Sequence, residues 1–255
     1  MKRGRVLNVA DCCVHVTHRC HNRHFLLRFE RDRRNYVSRL RETSLRFGVE
    51  VLDYTITSNH VHLLLWTPSL DDLSEAMQFL QGVSARDYNR RKVRQGAYWS
   101  DRYSPTLVQT GPHLSRCLFY IAMNMVRARA VGHPREWAAC GYRELSGGRQ
   151  RYRVVSLERL LWCLEMPGQV AAFRQWYERT LADLCATPYC VREPVWTESA
   201  AVGSREWVEA LAGRVVVGRK SIVPVIAPPE TCLGEGTPSY GLRLSQRQSE
   251  WLLRP

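Results

Sequence analysis

The sequence predicts an α+β fold: an antiparallel sheet with helices, followed by a mainly helical extension. Two observations carry this prediction. Short alternating or apolar runs typical of strands flank segments with helical spacing, in the order strand, helix, strand, strand, helix, strand. The composition then changes near residues 146–150. The 255 residues are 45% hydrophobic, and no apolar run reaches the ~18 residues of a membrane span.

The elements follow one another at short intervals. The valine-rich run CCVHVTHR (12–19) predicts the first strand. Residues 32–48 predict a helix that begins after Asp32 and ends at Gly48, a pair of capping residues. Residues 49–57 and the run HVHLLLW predict the next two strands, joined by a short Ser-Asn turn.

A helix over 69–93 starts with a serine cap and an acidic first turn. Residues 104–110 predict the fourth strand, and 113–131 a further helix that must pack against this unit. The order is the split βαβ, ferredoxin-like pattern, which leaves one sheet face for a ligand.

The chain divides into three predicted segments. Residues 1–148 hold the ferredoxin-like unit. Residues 149–222 contain three amphipathic helix candidates and predict a helical C-terminal unit. Residues 223–255 are rich in Pro and Gly and predict an extended tail.

Positive charge is concentrated in the first part of the chain. The net charge is +13, and residues 1–153 hold 26 Lys and Arg against 13 Asp and Glu. Residues 154–255 hold 11 of each sign. This asymmetry favours a polyanionic partner for the first part, with nucleic acid the first choice.

Nine cysteines occur without a regular framework, which favours reduced thiols in the cytoplasm. The N-terminus lacks the apolar core of a signal peptide. A zinc site formed by Cys20 with His18, His21 and His24 is an alternative, although no CxxC pair supports it.

The stretch TSNHVHLLLW (57–66) places His60 and His62 two positions apart in a predicted strand. Side chains at i and i+2 share a face of a strand, so the two imidazoles could converge on one metal ion. Imidazole suits Mn²⁺ at least as well as Mg²⁺. The alternative is a pair of histidines satisfied by hydrogen bonds within the fold.

Tyr120 and Asn124 lie four residues apart on a predicted helix and therefore share a face. A tyrosine hydroxyl can attack phosphorus as a nucleophile, and the amide of Asn124 could contribute to the same metal. The alternative is an aromatic core residue packed beside Leu118, Ile121 and Met125.

Four motifs together resemble a known family: HVTHRCHNR, NHVHLLLW, GAYWSDRYSP and YIAMNMVRARAV, in this order. They resemble the REP-associated tyrosine transposases, a branch of the single-tyrosine HUH transposases, over roughly residues 12–145. The resemblance implies a ferredoxin-like HUH nuclease fold, His60, His62 and Asn124 as metal contacts, and Tyr120 as the nucleophile.

The sequence departs from the family pattern at three places. Cys20 stands in HRC where the family commonly has HRG. Met125 replaces the proline that commonly follows the asparagine, which predicts a straighter helix. Arg129 stands where the family has the glycine of RAG.

The reaction implied by the resemblance is metal-dependent cleavage and transfer of single-stranded DNA through a 5′-phosphotyrosine, acting on hairpin or palindromic repeats. The cofactor would be Mg²⁺ or Mn²⁺. The enzyme would act in the bacterial cytoplasm at the nucleoid, as a monomer or homodimer, with no membrane partner. The basic and aromatic candidates for holding DNA are Arg19, Arg23, Arg86, Arg90, Arg91, Lys92, Arg94, Trp99 and Arg102.

Two other functions remain open at this stage. A domesticated regulator would bind hairpin DNA without cutting it. An RNA-cleaving enzyme on the same fold would cut RNA but not DNA. The basic segments also have an alternative interpretation, a solvated helix end with a structural tryptophan.

Overall fold

A computed structural model of the chain describes residues 9–149, 151–187, 193–214, 220–224 and 238–244. Its first part has the predicted order of elements. These are β1 (Ala10–Arg19), α1 (Glu30–Phe47), β2 (Glu50–Ile56), β3 (His60–Ser69), α2 (Leu70–Arg91), β4 (Ser104–Val108) and α3 (Pro112–Ala122).

The first four strands lie in the order β2-β3-β1-β4, and each neighbouring pair is antiparallel. This is the strand order of a ferredoxin-like sheet, so the fold predicted from the sequence is confirmed. The register pairs Arg19 with His60 and Thr17 with His62 across β1 and β3. The histidine strand therefore lies inside the sheet, with a neighbour on each side.

The two helices of this unit have identifiable ends. Ser69 caps α2, because its side chain accepts a hydrogen bond from the backbone N–H of Asp72. Gly48 ends α1 with φ +65°, a left-handed conformation that glycine adopts without strain. The predicted start after Asp32 is wrong, since α1 begins at Glu30. Asp32 lies in the first turn of α1, where its carboxylate is buried and pairs with Arg91.

The sheet has one apolar and one polar face. On β1, Val14 and Val16 are fully buried and alternate with His15 and Thr17. The apolar face packs toward the α1 and α2 layer, while the other face collects polar side chains from all four strands. The polar face is therefore the one available for chemistry.

α3 packs on this polar face, and the helix is interrupted after its last residue. A four-residue helix, α4 (Asn124–Arg127), follows after Met123, whose ψ of 1° interrupts the regular helix. Side chains satisfy two carbonyls at the break: Arg127 Nη2 donates to Tyr120 O at 2.6 Å, and Thr55 Oγ1 donates to Ile121 O at 3.0 Å. The prediction of a straighter helix is wrong, because these side-chain donors stabilise the break without proline.

The C-terminal extension is mainly helical, as predicted, but it also lengthens the sheet. β5 pairs parallel with β4, β7 pairs with β5, and β6 closes the described edge. The prediction of helices followed by an extended tail missed all three strands. The elements are α5 (Tyr142–Leu145), α6 (Leu157–Cys163), α7 (Val170–Ala186), α8 (Val195–Glu198), β5 (Ala201–Gly203), α9 (Arg205–Arg214), β6 (Lys220–Pro224) and β7 (Tyr240–Leu244).

An aromatic cluster joins the extension to α3. Phe119 lies 5.0 Å from Trp176 and 5.6 Å from Tyr177, measured between ring centroids, and Tyr177 stacks on Phe173 at 5.6 Å. Phe173 and Tyr177 are fully buried. Residues on both sides of position 148 thus share one hydrophobic core.

Two further predictions concern cysteines and membranes. Every cysteine within the described residues is a free thiol, while Cys190 and Cys232 lie outside those ranges. Among the described helices, none combines the length and the apolar character that crossing a bilayer requires.

Candidate functional site

A cavity of about 630 Å³ opens on the polar face of the sheet. His60 and His62 from β3 line it, and so do Tyr120 from α3 and Asn124 from α4. Four residues selected from two separate motifs therefore share one cavity. The imidazole centroids of His60 and His62 lie 5.1 Å apart.

His62 is held from two sides. Its Nδ1 lies 2.9 Å from Nε2 of His15, and its Nε2 lies 3.0 Å from the side-chain amide nitrogen of Asn124. His60 is held through Nδ1 alone, which contacts Asn59 Oδ1 at 2.7 Å and Thr57 Oγ1 at 2.9 Å. Because Asn59 Oδ1 is an acceptor, Nδ1 of His60 carries the proton and Nε2 keeps its lone pair.

Burial keeps these imidazoles neutral. It lowers the pKa of His60 to about 4, and the positive charge of Arg19 acts in the same direction. Burial also holds the pKa of His62 well below its usual range, with His60, His15 and nearby arginines adding to the effect. Both rings are therefore uncharged at neutral pH, with one nitrogen protonated and the other keeping its lone pair, which is the state that binds a metal ion.

Two imidazole nitrogens and the side-chain oxygen of Asn124 form a donor set that fits a divalent cation once the Asn124 amide, whose nitrogen faces His62 Nε2 here, turns its oxygen toward the ion. The set leaves coordination positions for phosphate oxygens or water. Among the described residues, no group of three or more His, Cys, Asp and Glu could hold a metal. The alternative zinc site around Cys20 therefore has no support there. Cys20 itself is buried, and its backbone pairs with Trp99.

Tyr120 stands next to two of the three histidines of the polar face, His62 and His15. Its ring centroid lies 5.9 Å from that of His62 and 5.9 Å from that of His15, in edge-on arrangements. Trp196 of α8 closes the far side at 6.0 Å. Tyr120 is 5% exposed, and the cavity that it lines provides its access to solvent.

Arg127 is a cavity residue that the sequence analysis missed. Its guanidinium carbon lies 4.1 Å from the Tyr120 ring centroid, and the same side chain donates to the Tyr120 carbonyl. A positive charge here stabilises negative charge that develops on a phenol or a phosphate. Spacing could have indicated it, because Arg127 follows Tyr120 by two turns of a helix.

His15 is the second missed residue. It is fully buried on β1, and burial lowers its pKa to about 4. The signal was the alternation His15, Thr17, Arg19 on one side of an otherwise apolar strand. Ser104 and Thr197 also line the cavity and were not singled out.

The predicted DNA contacts fall into two groups. Arg19, Arg23 and Arg102 line the cavity. The other cations lie at the end of α2 or just after it, and several have partners. Arg91 pairs with Asp32, Arg90 approaches Asp87 at 3.7 Å, and Arg94 donates to Asn89 Oδ1 at 3.0 Å. Arg86 and Lys92 are exposed.

Trp99 lies between the two groups. Its ring stacks on His18 at 4.0 Å, and its Nε1 donates to Gln81 O at 3.2 Å. These contacts fit the alternative of a structural tryptophan. Its partly buried ring also lines a second cavity of about 630 Å³, to which Arg102 contributes as well.

Comparison with known proteins finds one family that matches part of the chain. The family model "Transposase IS200 like" matches residues 8–124, which span β1 to the start of α4. Over these 117 of 255 residues the chain is similar to that family. The predicted resemblance is thereby confirmed at this level. None of the curated proteins matches the chain.

Two solved structures are similar to the chain. The first is a REP-associated tyrosine transposase bound to a REP hairpin, with 15% identity, 60% of this chain and 90% of that chain covered, and a TM-score of 0.47. The second, from Deinococcus radiodurans R1, carries a provisional transposase assignment. It shows 25% identity, covers 48% of this chain and 95% of that chain, and has a TM-score of 0.34.

Proposed function

We propose that the protein cleaves and rejoins single-stranded DNA at hairpin repeats, with Tyr120 as the nucleophile and a divalent metal held by His60, His62 and Asn124. The observation that carries the proposal is the shared cavity of about 630 Å³, which all four side chains line together with Arg19, Arg23, Arg102 and Arg127. It provides a nucleophile, metal donors and cations in one place.

The proposed transesterification needs no nucleotide cofactor, because one bond to phosphorus forms as another breaks. The phenol of Tyr120 loses its proton, and its oxygen forms a bond to phosphorus. The bond between phosphorus and the 3′ oxygen breaks, and that oxygen leaves as a 3′-hydroxyl after gaining a proton. The same hydroxyl or another one reverses the step, because the phosphotyrosine retains a phosphodiester bond.

A bound Mg²⁺ or Mn²⁺ would polarise the scissile phosphate and offset negative charge on its oxygens. The residues of the chain do the rest. Arg19 and Arg102 hold the backbone phosphates, and Arg127 holds the Tyr120 carbonyl while its charge faces the ring. Tyr120 is kept in place by contacts with His15, His62 and Trp196.

The DNA strand has two exits from the cavity in this proposal. Arg102 is shared with the second cavity, where the partly buried ring of Trp99 offers aromatic surface. Arg23 leads instead to exposed Phe25 and Phe29, and the ammonium of Lys92 lies 5.1 Å from the Phe29 ring. Cations alternating with aromatic faces are how proteins hold single strands.

The decisive experiment tests for a covalent adduct. The wild-type protein, Tyr120→Phe and Tyr152→Phe are incubated with Mn²⁺ and a hairpin oligonucleotide that has single-stranded flanks. Tyr152 is a matched control, because it is 58% exposed and is not among the residues lining the cavity. Wild type and Tyr152→Phe should form a protein–DNA adduct on a denaturing gel, and Tyr120→Phe should not.

The remaining functions give different results in the same assay. A regulator binds the hairpin with equal affinity in all three proteins and forms no adduct with any palindrome from its own locus. An RNA-cleaving enzyme processes the RNA version of the oligonucleotide and leaves the DNA intact. A Tyr120→Phe protein that still forms the adduct would refute the assignment of the nucleophile.

A further inference from the structure

His15 is fully buried, and both of its ring nitrogens have hydrogen-bond partners. Nδ1 lies 2.9 Å from the main-chain oxygen of Trp196, and Nε2 lies 2.9 Å from Nδ1 of His62. The two imidazole planes differ by 12°. A continuous hydrogen-bonded path therefore connects the backbone of α8 to a predicted metal ligand.

The chemistry of the partners fixes where each proton sits. A carbonyl oxygen can only accept, so Nδ1 of His15 must carry its proton toward Trp196. A neutral His15 then accepts at Nε2, and Nδ1 of His62 must be the donor. Neutral His62 consequently has no proton on Nε2, the nitrogen beside Asn124. Nε2 of His62 therefore keeps the lone pair that accepts from Asn124 Nδ2 in this structure, and a metal ion would bind through that lone pair in place of this hydrogen bond.

Trp196 is held in place by contacts beyond His15. Thr106 is directly opposite His15 in the β1–β4 register; its Oγ1 lies 3.2 Å from the Trp196 oxygen and 2.7 Å from Ser199 O, the nearer acceptor for its one proton. The indole of Trp196 is fully buried, and its Nε1 donates to Glu193 Oε2 at 2.8 Å. Trp196 lies well beyond residues 8–124, where the family match ends.

We infer that His15 is a positioning residue for metal binding, and that the C-terminal extension anchors it through the Trp196 carbonyl. His15 sets the tautomer and the ring orientation of His62 without touching the metal. The inference rests on the proposed role of His62 as a metal ligand. Partners that orient a ligating histidine typically change metal affinity 10–100-fold when they are removed.

The test compares His15→Phe with His15→Gln in the full-length protein. Phenylalanine fills the space but cannot hydrogen-bond. Glutamine offers an amide hydrogen to Trp196 O and an amide oxygen to His62 Nδ1. The readouts are the ¹⁵N NMR tautomer of His62 in metal-free protein and the Mn²⁺ dissociation constant from calorimetry. Thermal unfolding is measured alongside, so that loss of packing is recorded separately.

We expect wild-type His62 to be protonated on Nδ1. His15→Phe should mix the tautomers and weaken Mn²⁺ binding about 10–100-fold, whereas His15→Gln should retain the tautomer and bind within a few-fold of wild type. Equal losses of affinity in both variants, or unchanged affinity in His15→Phe, would overturn the inference. The wild-type spectrum alone overturns it if His62 is protonated on Nε2, even if neither variant folds.

The test of His15 and the test of DNA cleavage can fail independently of each other. If wild type forms the Tyr120 adduct while His15→Phe retains the wild-type tautomer and Mn²⁺ affinity, the positioning role fails and the proposed function stands. If wild type shows the expected tautomer and binds Mn²⁺ in a His15-dependent way but forms no adduct, the positioning role stands and the cleavage proposal fails. A wild-type protein that binds no Mn²⁺ overturns both the positioning role and the proposed metal.

Discussion

Truncating Phe173 tests whether the C-terminal extension folds together with the ferredoxin-like unit of the first part of the chain. Its ring is fully buried on α7 and stacks on Tyr177, which in turn stacks on Phe119 of α3. Truncation of a buried phenylalanine costs about 3–5 kcal/mol, from lost burial and from the cavity left behind. In a chain of this length each kcal/mol lowers the melting temperature by about 2–4 °C. Phe173→Ala should therefore lower it by roughly 6–20 °C.

The assay is thermal unfolding followed by circular dichroism, combined with hydrogen exchange resolved by peptide. We expect one transition, and equal loss of protection in β1, β3 and α7, because these elements share a core. Phe25→Ala is the matched control: this phenylalanine is 65% exposed, so its truncation should change the stability by less than about 0.5 kcal/mol. If only α7 loses protection while β1 and β3 keep theirs, the reasoning is refuted and the division near residue 148 marks an independent unit.

Three further predictions concern single residues. Burial lowers the pKa of His18 to about 4, so the unfolded chain binds the extra proton first. The free energy of unfolding should fall as the pH is lowered from 6.5 to about 4, by at most about 3 kcal/mol for this group. Measured by urea unfolding at several pH values, this fall should be smaller in His18→Gln. Arg129 has φ +55°, so Arg129→Gly should stabilise by up to about 1 kcal/mol, whereas Ala130→Gly should not. Arg127→Gln should slow adduct formation at least about tenfold at unchanged melting temperature; equal rates would contradict its electrostatic role.

The first part of the fold was predictable because its signals are local. Strand alternation and helical spacing fixed the order of elements up to Thr110, and the caps at Ser69 and Gly48 marked helix ends. The start of α1 was misplaced because Asp32 resembles a capping residue, while its actual role is to pair with Arg91, 59 positions later in the chain. Such a long-range partner leaves no local pattern.

The C-terminal strands could not be predicted for a related reason. β5 has only three residues and owes its conformation to pairing with β4. β7 begins at Tyr240 after a stretch rich in Pro and Gly, which on composition alone favours an extended tail. Strand propensity in such short runs is weak, and pairing with an existing sheet edge decides their structure.

The candidate site was predicted from motif positions but not from its supporting contacts. His60 and His62 were indicated by the alternation of faces along β3. Tyr120 depended on the resemblance, since its spacing fitted a core aromatic equally well. His15 and Arg127 were missed because their roles arise from partners outside their own segments, Trp196 O for the first and the Tyr120 ring for the second.

Contacts on the polar face of the sheet join the C-terminal extension to the candidate site. Burying His15 and His62 is unfavourable unless their nitrogens are paired, because an unpaired buried polar group costs about 1–3 kcal/mol. The pairing of His15 depends on a carbonyl from α8, and Tyr120 is flanked by the indole of the same Trp196. A chain ending after the family match would leave this nitrogen unpaired and this side of Tyr120 open to water. The extension therefore completes the surroundings of the proposed ligand His62 and the proposed nucleophile Tyr120, which both lie within the residues of the family match.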